Sequence, residues 1–552
     1  MNKCLRWTIG CTLAITMAAG LAGCGSSAGS GSSTGTAGSS AAAASDSTAA
    51  SEAASSTSSS AHSDDDTLNV VDAEWYGIDS YQLDSSATLQ QCVGESLFEW
   101  DTEKNDITDG VCTDWKVSDD GKTVTFNVPE GMYYSTGEEV EPEDVVASIQ
   151  HGQEVSPYSD AYANIESMDV DGRQVTLHLT GYRSDMLYAF CADFMTVIDK
   201  DELDSMSNDE LMWGCHPYGM YSVEQYVSGS EVKLTRNDGY VTHCPKFENQ
   251  GPAHFKNIDV TFNVEEFTAV ESLKSGDVDF IATSLSQDSV KDLSDESNVS
   301  VVEASYPEID YIELQTDKGP MADKDVRLGI CLLIDRQALC DMSDGQAVPA
   351  YSMIFDTMQN FSQDAKDYFM QNYADDPDRG IQLIEGAGYT KNSDGYYEKD
   401  GNVLSLELYA DSGDLSSLMA EGLQGQLDEY GVQVNFNPID WNYVHEQAKN
   451  DDYDMARQSL GWAEPILIFN ACYHDPTAPT PTDEYYAKVD DIAATVDSDE
   501  RTQKIGDLQK EMYDNLDNIP FYSPISYIAY NKDLQGVNIQ SDGSWSWNDV
   551  TW

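Results

Sequence analysis

The sequence predicts a mixed α/β chain built from several units. Three observations lead there. Short strand-like runs alternate with helix-like runs from Leu68 onward, the pattern that gives layered α/β architectures. At 552 residues the chain is far longer than one hydrophobic core supports, so two or three domains are expected. No repeat of solenoid length interrupts the pattern.

The N-terminus comes first. Lys3 and Arg6 precede an apolar stretch from Trp7 to Ala22, which runs into Leu21-Ala22-Gly23-Cys24. Charged, then apolar, then small is the order of a secretory leader. The stretch is also shorter than the roughly 20 residues usual for a spanning helix. Leu-Ala-Gly-Cys resembles the bacterial lipobox, which implies cleavage before Cys24 and acylation of Cys24. Residues 1–23 are therefore read as a lipoprotein signal peptide, and 24–66 as a lipidated cysteine on a tether. Residues 25–66 are almost entirely Ser, Ala, Gly and Thr and end in Asp64-Asp65-Asp66. Such a segment has too little to bury to offset the entropy of ordering. A formal match to the nucleophile elbow, Gly25-Ser26-Ser27-Ala28-Gly29, lies here without the strand and helix that such an elbow needs.

The elements then follow in order. Val124–Val128 reads as a strand after the turn Asp119-Asp120-Gly121-Lys122, and Val175–Leu179 as another after Asp171-Gly172. Thr268–Ser275 has helical spacing and stops at Gly276, and Asp277–Ile281 reads as a strand. Val326–Leu339 reads as one helix, with Asp323 and Asp325 near its positive end. Pro377–Ala387 is a helix with Pro at its start and Gly388 past its end. Leu404–Tyr409 alternates as a strand, Leu415–Tyr430 is a helix ended by Gly431, and Val432–Phe436 is a strand.

Charge excludes one class of function. There are 29 Lys and Arg against 98 Asp and Glu, a formal net charge of -69. A nucleic-acid binder needs a basic footprint, and none is present. The acidity reads as a soluble, self-repelling surface. Beyond the tether lie Cys92, Cys112, Cys191, Cys215, Cys244, Cys331, Cys340 and Cys472. Cys215 and Cys244 flank two strand-like runs, Gly219–Gln225 and Glu231–Thr235. A hairpin there would bring its ends together, giving either a disulfide or, with His216 and His243, a zinc site.

A longer series of motifs carries a resemblance. Glu95-Ser96-Leu97-Phe98-Glu99 opens it, and Asp114-Trp115-Lys116-Val117-Ser118-Asp119-Asp120-Gly121 follows with Thr123-Val124-Thr125-Phe126. Next come Gly131 to Gly137, Asp144 to Ser148, Gly219-Met220-Tyr221, and Arg236-Asn237-Asp238-Gly239-Tyr240. Leu273 to Asp279, Asp325-Val326-Arg327, Ile334-Asp335-Arg336, Asp452-Tyr453-Asp454 and Gly461-Trp462 complete it. In this order and spacing the chain resembles the large extracellular solute-binding proteins of the peptide and nickel class, family 5. Most of these motifs have structural readings. Asp335 and Arg336 read as a structural ion pair, and Trp115 and Phe126 as core aromatics.

The resemblance implies a two-lobed, periplasmic-binding-protein-like fold of the three-domain peptide-binder type, with a hinge and an interlobe cleft. Domain I would comprise 67–108, 213–303 and 515–552, domain II would be inserted at 109–212, and domain III would span 304–514. The crossing strands are expected near Tyr306 and near Phe521. Ligand contacts are implied at Trp462, Ala463 and Glu464, at Tyr158, and along 84–88, including Ser86, Ala87 and Thr88. Trp441 and Tyr409 are weaker candidates that also fit a core. The family's amine-pairing Asp falls on Pro465, one place after Glu464. Glu464 is left as either an amine anchor or a solvated loop carboxylate.

The function implied is capture of a small solute, foremost short peptides, by a monomeric, lipid-anchored receptor on the extracellular face of the membrane. It would deliver to the permease and ATPase of an ABC importer. A nickel chelate, an opine or an oligosaccharide on the same fold is the alternative, and an exported hydrolase or adhesin a distant one. Apart from the zinc reading at Cys215 and Cys244, nothing in the residues calls for catalysis, a metal or a cofactor: the histidines are scattered, and His445-Glu446 lacks the second His of a zinc protease motif.

Overall fold

The computed structural model describes residues 66–83, 91–101, 104, 106–191, 195–440, 443–444, 453–461, 464–472, 483–540 and 543–552. Among them, no helix is long and apolar enough to cross a membrane. Three of the five sheets among the described residues organise the chain.

The first has seven strands, in the order Val299–Glu303, Tyr527–Asn531, Phe280–Ile281, Thr67–Val71, Asn257–Thr261, Glu231–Arg236 and Tyr221–Val227. Thr67–Val71 runs parallel to both neighbours, and its Leu68 and Val70 are fully buried. The last two strands form the expected hairpin, turning at Gly229 with φ 70°, a region open to glycine at no steric cost. The second sheet has six strands: Ala347–Pro349, Asn518–Pro524, Ile309–Leu314, Met455–Leu460, Ser405–Asp411 and Gln433–Ile439. Ser405–Asp411 is parallel to Gln433–Ile439 and to Met455–Leu460. The helix Asp414–Tyr430 makes the crossover and ends at Gly431, φ 88°. The third is an antiparallel sheet of Thr113–Val117, Thr123–Asn127, Gln174–Leu179 and Ile165–Asp171.

Two large cores follow from these sheets. One joins the first and third sheets, through residues such as Leu68, Phe98, Phe126, Leu177, Tyr218 and Val260. The other fills the second sheet, with Ile312, Ile330, Leu406, Leu423 and Phe521. The result is two lobes, with the third sheet sharing the core of the first. The chain crosses between them twice, through 304–308 and through 525–526. The crossings lie side by side: the Ala304 N–H donates to the Ser526 carbonyl at 2.9 Å, and the Ser526 N–H to the Ser305 hydroxyl at 3.2 Å. Tyr306 sits in the first crossing. The second begins just past the strand Asn518–Pro524 that holds Phe521, whose apolar packing keeps it in the second lobe.

Three expectations change. Val326–Leu339 is not one helix but two, Lys324–Leu333 and Arg336–Met342. The break is a cap, since the Asp335 carboxylate accepts from the Ala338 N–H at 2.9 Å. Asp335 and Arg336 therefore serve separately. Arg336, fully buried, donates from Nε to the Pro520 carbonyl at 2.8 Å and lies 5.1 Å from the Phe369 ring centre. The strand expected over Asp277–Ile281 shortens to Phe280–Ile281, because Asp277 and Val278 close the helix Glu266–Ser275 by donating to Ser272.

Cys215 and Cys244 are unpaired and buried. The hairpin forms, but the chain diverges beyond it. Cys215 ends the helix Asn208–Gly214, while Cys244 follows Thr242, whose hydroxyl accepts its N–H at 3.1 Å. Burial pushes both thiols upward, with Asp79 and Glu202 near Cys215 and Glu99 near Cys244. His216 bonds Glu202 through Nδ1 at 2.7 Å instead of facing a shared metal. Among the described residues no three His, Cys, Asp or Glu converge as metal ligands.

Candidate ligand-binding site

In sheets with parallel strands, ligands bind beyond the carboxyl ends of those strands. In the second sheet that edge is marked by Asp411, by Ile439, and by Leu460 leading into Gly461. The neighbouring strand Ile309–Leu314 is antiparallel, pairing Ile309 with Leu460, so it begins at this edge. Both crossings leave from here, and the edge therefore faces the other lobe.

Arg457 organises the first part of the edge. Its guanidinium pairs with Asp310 and with Asp411, and it lies 6.0 Å from the Tyr522 ring centre. Ser459 donates its hydroxyl to Glu308, in the first crossing. Burial drives the Asp310 carboxyl up, against the guanidinium that touches it. Burial disfavours the charge on Arg457, but Asp310, Tyr522, Asp411 and Glu308 together outweigh this and hold it above its ordinary value. Deeper in the strand, Glu313 accepts from the Tyr453 hydroxyl at 2.8 Å and from Gln458 Nε2 at 3.1 Å.

Glu464 forms the second part, and it is not a solvated loop carboxylate. It is only 2% exposed. Its Oε2 accepts the Leu467 N–H at 2.9 Å, capping the apolar helix Pro465–Cys472. Burial, with Asp185 as the next cause, pushes its carboxyl up to about 8. Asp185 belongs to the other lobe, so Glu464 lies at the seam.

The seam is closed. Arg183 grips Asp185 with bonds of 2.7 and 3.0 Å and reaches Asp490 across the seam at 3.5 Å. Arg501 donates to the Asn360 side chain at 2.8 Å and to the Thr495 carbonyl at 2.8 Å, and touches the Tyr182 hydroxyl at 3.5 Å. The Arg183–Asp490 contact is half-exposed and is worth less than about 1 kcal/mol. Arg183→Ala should therefore weaken ligand affinity only a few-fold while widening the ligand-free molecule, read as a larger radius of gyration in solution scattering. An unchanged radius would show that the contact does not hold the lobes together.

Of the expected contacts, Tyr158 is half-buried just past the helix Pro142–Val155, with its N–H on the Ser156 hydroxyl at 3.0 Å. Tyr409 packs against Val444, Tyr453 and Ala456. Ser86, Ala87, Thr88, Trp441, Trp462, Ala463 and Cys24 lie outside the described residues. Sequence reading missed Tyr182, Arg183, Asp185, Arg501 and the Arg457 group. The available signal was the scarcity of arginine in so acidic a chain, which makes each buried one informative. A cavity of about 590 Å³ at Glu130, Tyr133, Glu139 and Arg173 lies beside the third sheet and is lined by none of the seam residues.

Comparison with known proteins places this geometry. The family model described as bacterial extracellular solute-binding proteins, family 5 middle, matches residues 106–474. The dipeptide-binding protein of Escherichia coli K12 is 21% identical, over 82% of this chain and 88% of its own length. The oligopeptide-binding protein AppA of Bacillus subtilis is 22% identical, over 69% and 70%. The crystal structure of NikA from Brucella suis in complex with Fe(III)-EDTA superimposes with a TM-score of 0.75 at 18% identity, covering 88% of this chain and 99% of that one. The fold thus has its counterpart in a known structure, and the chain belongs to the bacterial extracellular solute-binding proteins of family 5.

Proposed function

We propose that the chain is the receptor of an ABC importer, capturing short peptides between its lobes and passing them to the permease and its ATPase. The observation that carries the reading is the seam itself. A cleft edge bearing buried polar groups is closed over by a turn of the other lobe at Tyr182–Asp185, so a ligand held there would touch both lobes and stabilise closure. The peptide class is favoured by relatives named for dipeptides and oligopeptides that align along most of the chain. In this reading Trp462, Ala463, Glu464, Tyr158 and the 84–88 segment contact the ligand. The chain acts as a monomeric binding protein without catalysis, in three domains with the second inserted. Cys24 carries the lipid that keeps it on the extracellular face of the membrane.

The test is thermal unfolding of the intact chain, in mild detergent, against di- to octapeptides, oligosaccharides, opines and metal chelates. A ligand at 100 times its dissociation constant adds about 2.7 kcal/mol to stability. Stabilisation by peptides, weakened by Trp462→Ala, is the expected result. Stabilisation by another class alone would overturn the choice of peptide.

A further inference from the structure

The group around Arg457 holds more negative charge than its one guanidinium neutralises. Asp310, Asp411 and Glu308 converge there from the strand Ile309–Leu314, the end of Ser405–Asp411 and the first crossing. Even with Asp310 protonated, Asp411 and Glu308 outnumber Arg457 by one. A second observation is independent of the carboxylates. The Tyr522 hydroxyl is fully buried and has no hydrogen-bond partner among the described residues. Its charged neighbours are Arg457, Asp310, Asp411 and Glu308, so the phenol oxygen is directed into this same group. A buried phenol calls for a partner, and carboxylates in excess call for N–H donors.

We propose that this corner of the cleft is a subsite for an ammonium or guanidinium group, and that the protein selects solutes carrying positive charge. The chemistry matches on both sides. A guanidinium or ammonium brings several N–H donors and no acceptor, which complements Glu308, Asp411 and the Tyr522 oxygen. Arg457, already taken by Asp310 and Asp411, does not offer its charge to a ligand carboxylate. Asp411 and Glu308 are only partly buried, whereas Asp310 and Tyr522 are sealed, so the group has an open side and a closed floor. The proposal rests on reading the cleft as a solute site and deepens that reading by naming the charge of the solute.

The experiment is calorimetric titration of the intact chain with Ala-Lys-Ala, Ala-Arg-Ala, Ala-Ala-Ala and Ala-Glu-Ala, and separately with spermidine and free arginine. Binding of the Lys and Arg peptides at least tenfold tighter than the neutral and acidic ones is expected, with that preference lost in Asp411→Asn and in Glu308→Gln. Both variants change half-exposed groups, and a melting curve shows whether each still folds. Equal affinity for all four peptides would overturn the cationic subsite while leaving the peptide receptor standing. Binding of spermidine or arginine without any peptide would uphold the subsite and overturn the peptide reading. Binding of none of these probes would overturn the subsite.

Discussion

Arg457→Met is expected to destabilise the second lobe by about 3–5 kcal/mol, because it leaves Asp310 buried without its counter-ion. The penalty is less the loss of an attraction than the stranding of Asp310, a buried acid whose carboxyl burial already drives up and which then has no counter-ion. Asp310 is fully buried at the head of a strand, where water cannot replace the guanidinium. The expected signature is a lower urea midpoint for the transition that belongs to the second lobe. Adding Asp310→Asn to Arg457→Met should restore a large part of the loss, since the amide needs no counter-ion. A double variant as unstable as the single one would place the cost in lost packing against Tyr522 instead.

Glu95→Gln is expected to stabilise the protein in mildly alkaline solution and to change little in acid. Glu95 is buried, accepts the Thr242 hydroxyl at 2.6 Å, and is pushed up to about 8, first by burial. The folded state therefore holds its proton more tightly than the unfolded chain. Between the unfolded value near 4.5 and the folded value near 8, folding takes up a proton, so stability falls as pH rises through that window. The full span corresponds to on the order of 5 kcal/mol. Glutamine imitates the protonated acid and removes this slope. Glu464 contributes a slope of the same sign over the same window, so the Glu95→Gln curve should flatten without becoming level. Urea titrations of both proteins at pH 5 and pH 8 measure this, and parallel pH profiles would show that Glu95 does not titrate there.

The sheets and most elements were legible because their signals are local. Alternation in Val124–Val128 and Val175–Leu179, and glycines after Ser275 and Tyr430, need no tertiary information. The break at Asp335 was not legible, since apolar spacing continues through it and only the cap ends one helix and starts another. The hairpin between Cys215 and Cys244 was legible, but the paths of 216–220 and 237–243 are set by long-range packing. The Tyr218 hydroxyl donates to the Val241 carbonyl at 2.6 Å, and the Tyr218 N–H to the Val197 carbonyl at 2.7 Å. In the site, Glu464 was visible as a residue, but its burial depends on Asp185 and Gln359, which are 279 and 105 positions away. Arg457 gave no sign of its partners, because Asp310 and Asp411 reach it only through strand order.

The paired crossings have a mechanical consequence. One flexible strand between two bodies is a swivel, free to bend, twist and slide. Two strands joined by the Ala304–Ser526 bond act as the two screws of a door hinge: rotation about one axis deforms each strand slightly, while torsion or shear would tear that bond. The pairing thereby favours one soft coordinate between the lobes, an angle. In the proposed receptor, a partner would need to sense only that angle to tell a filled cleft from an empty one.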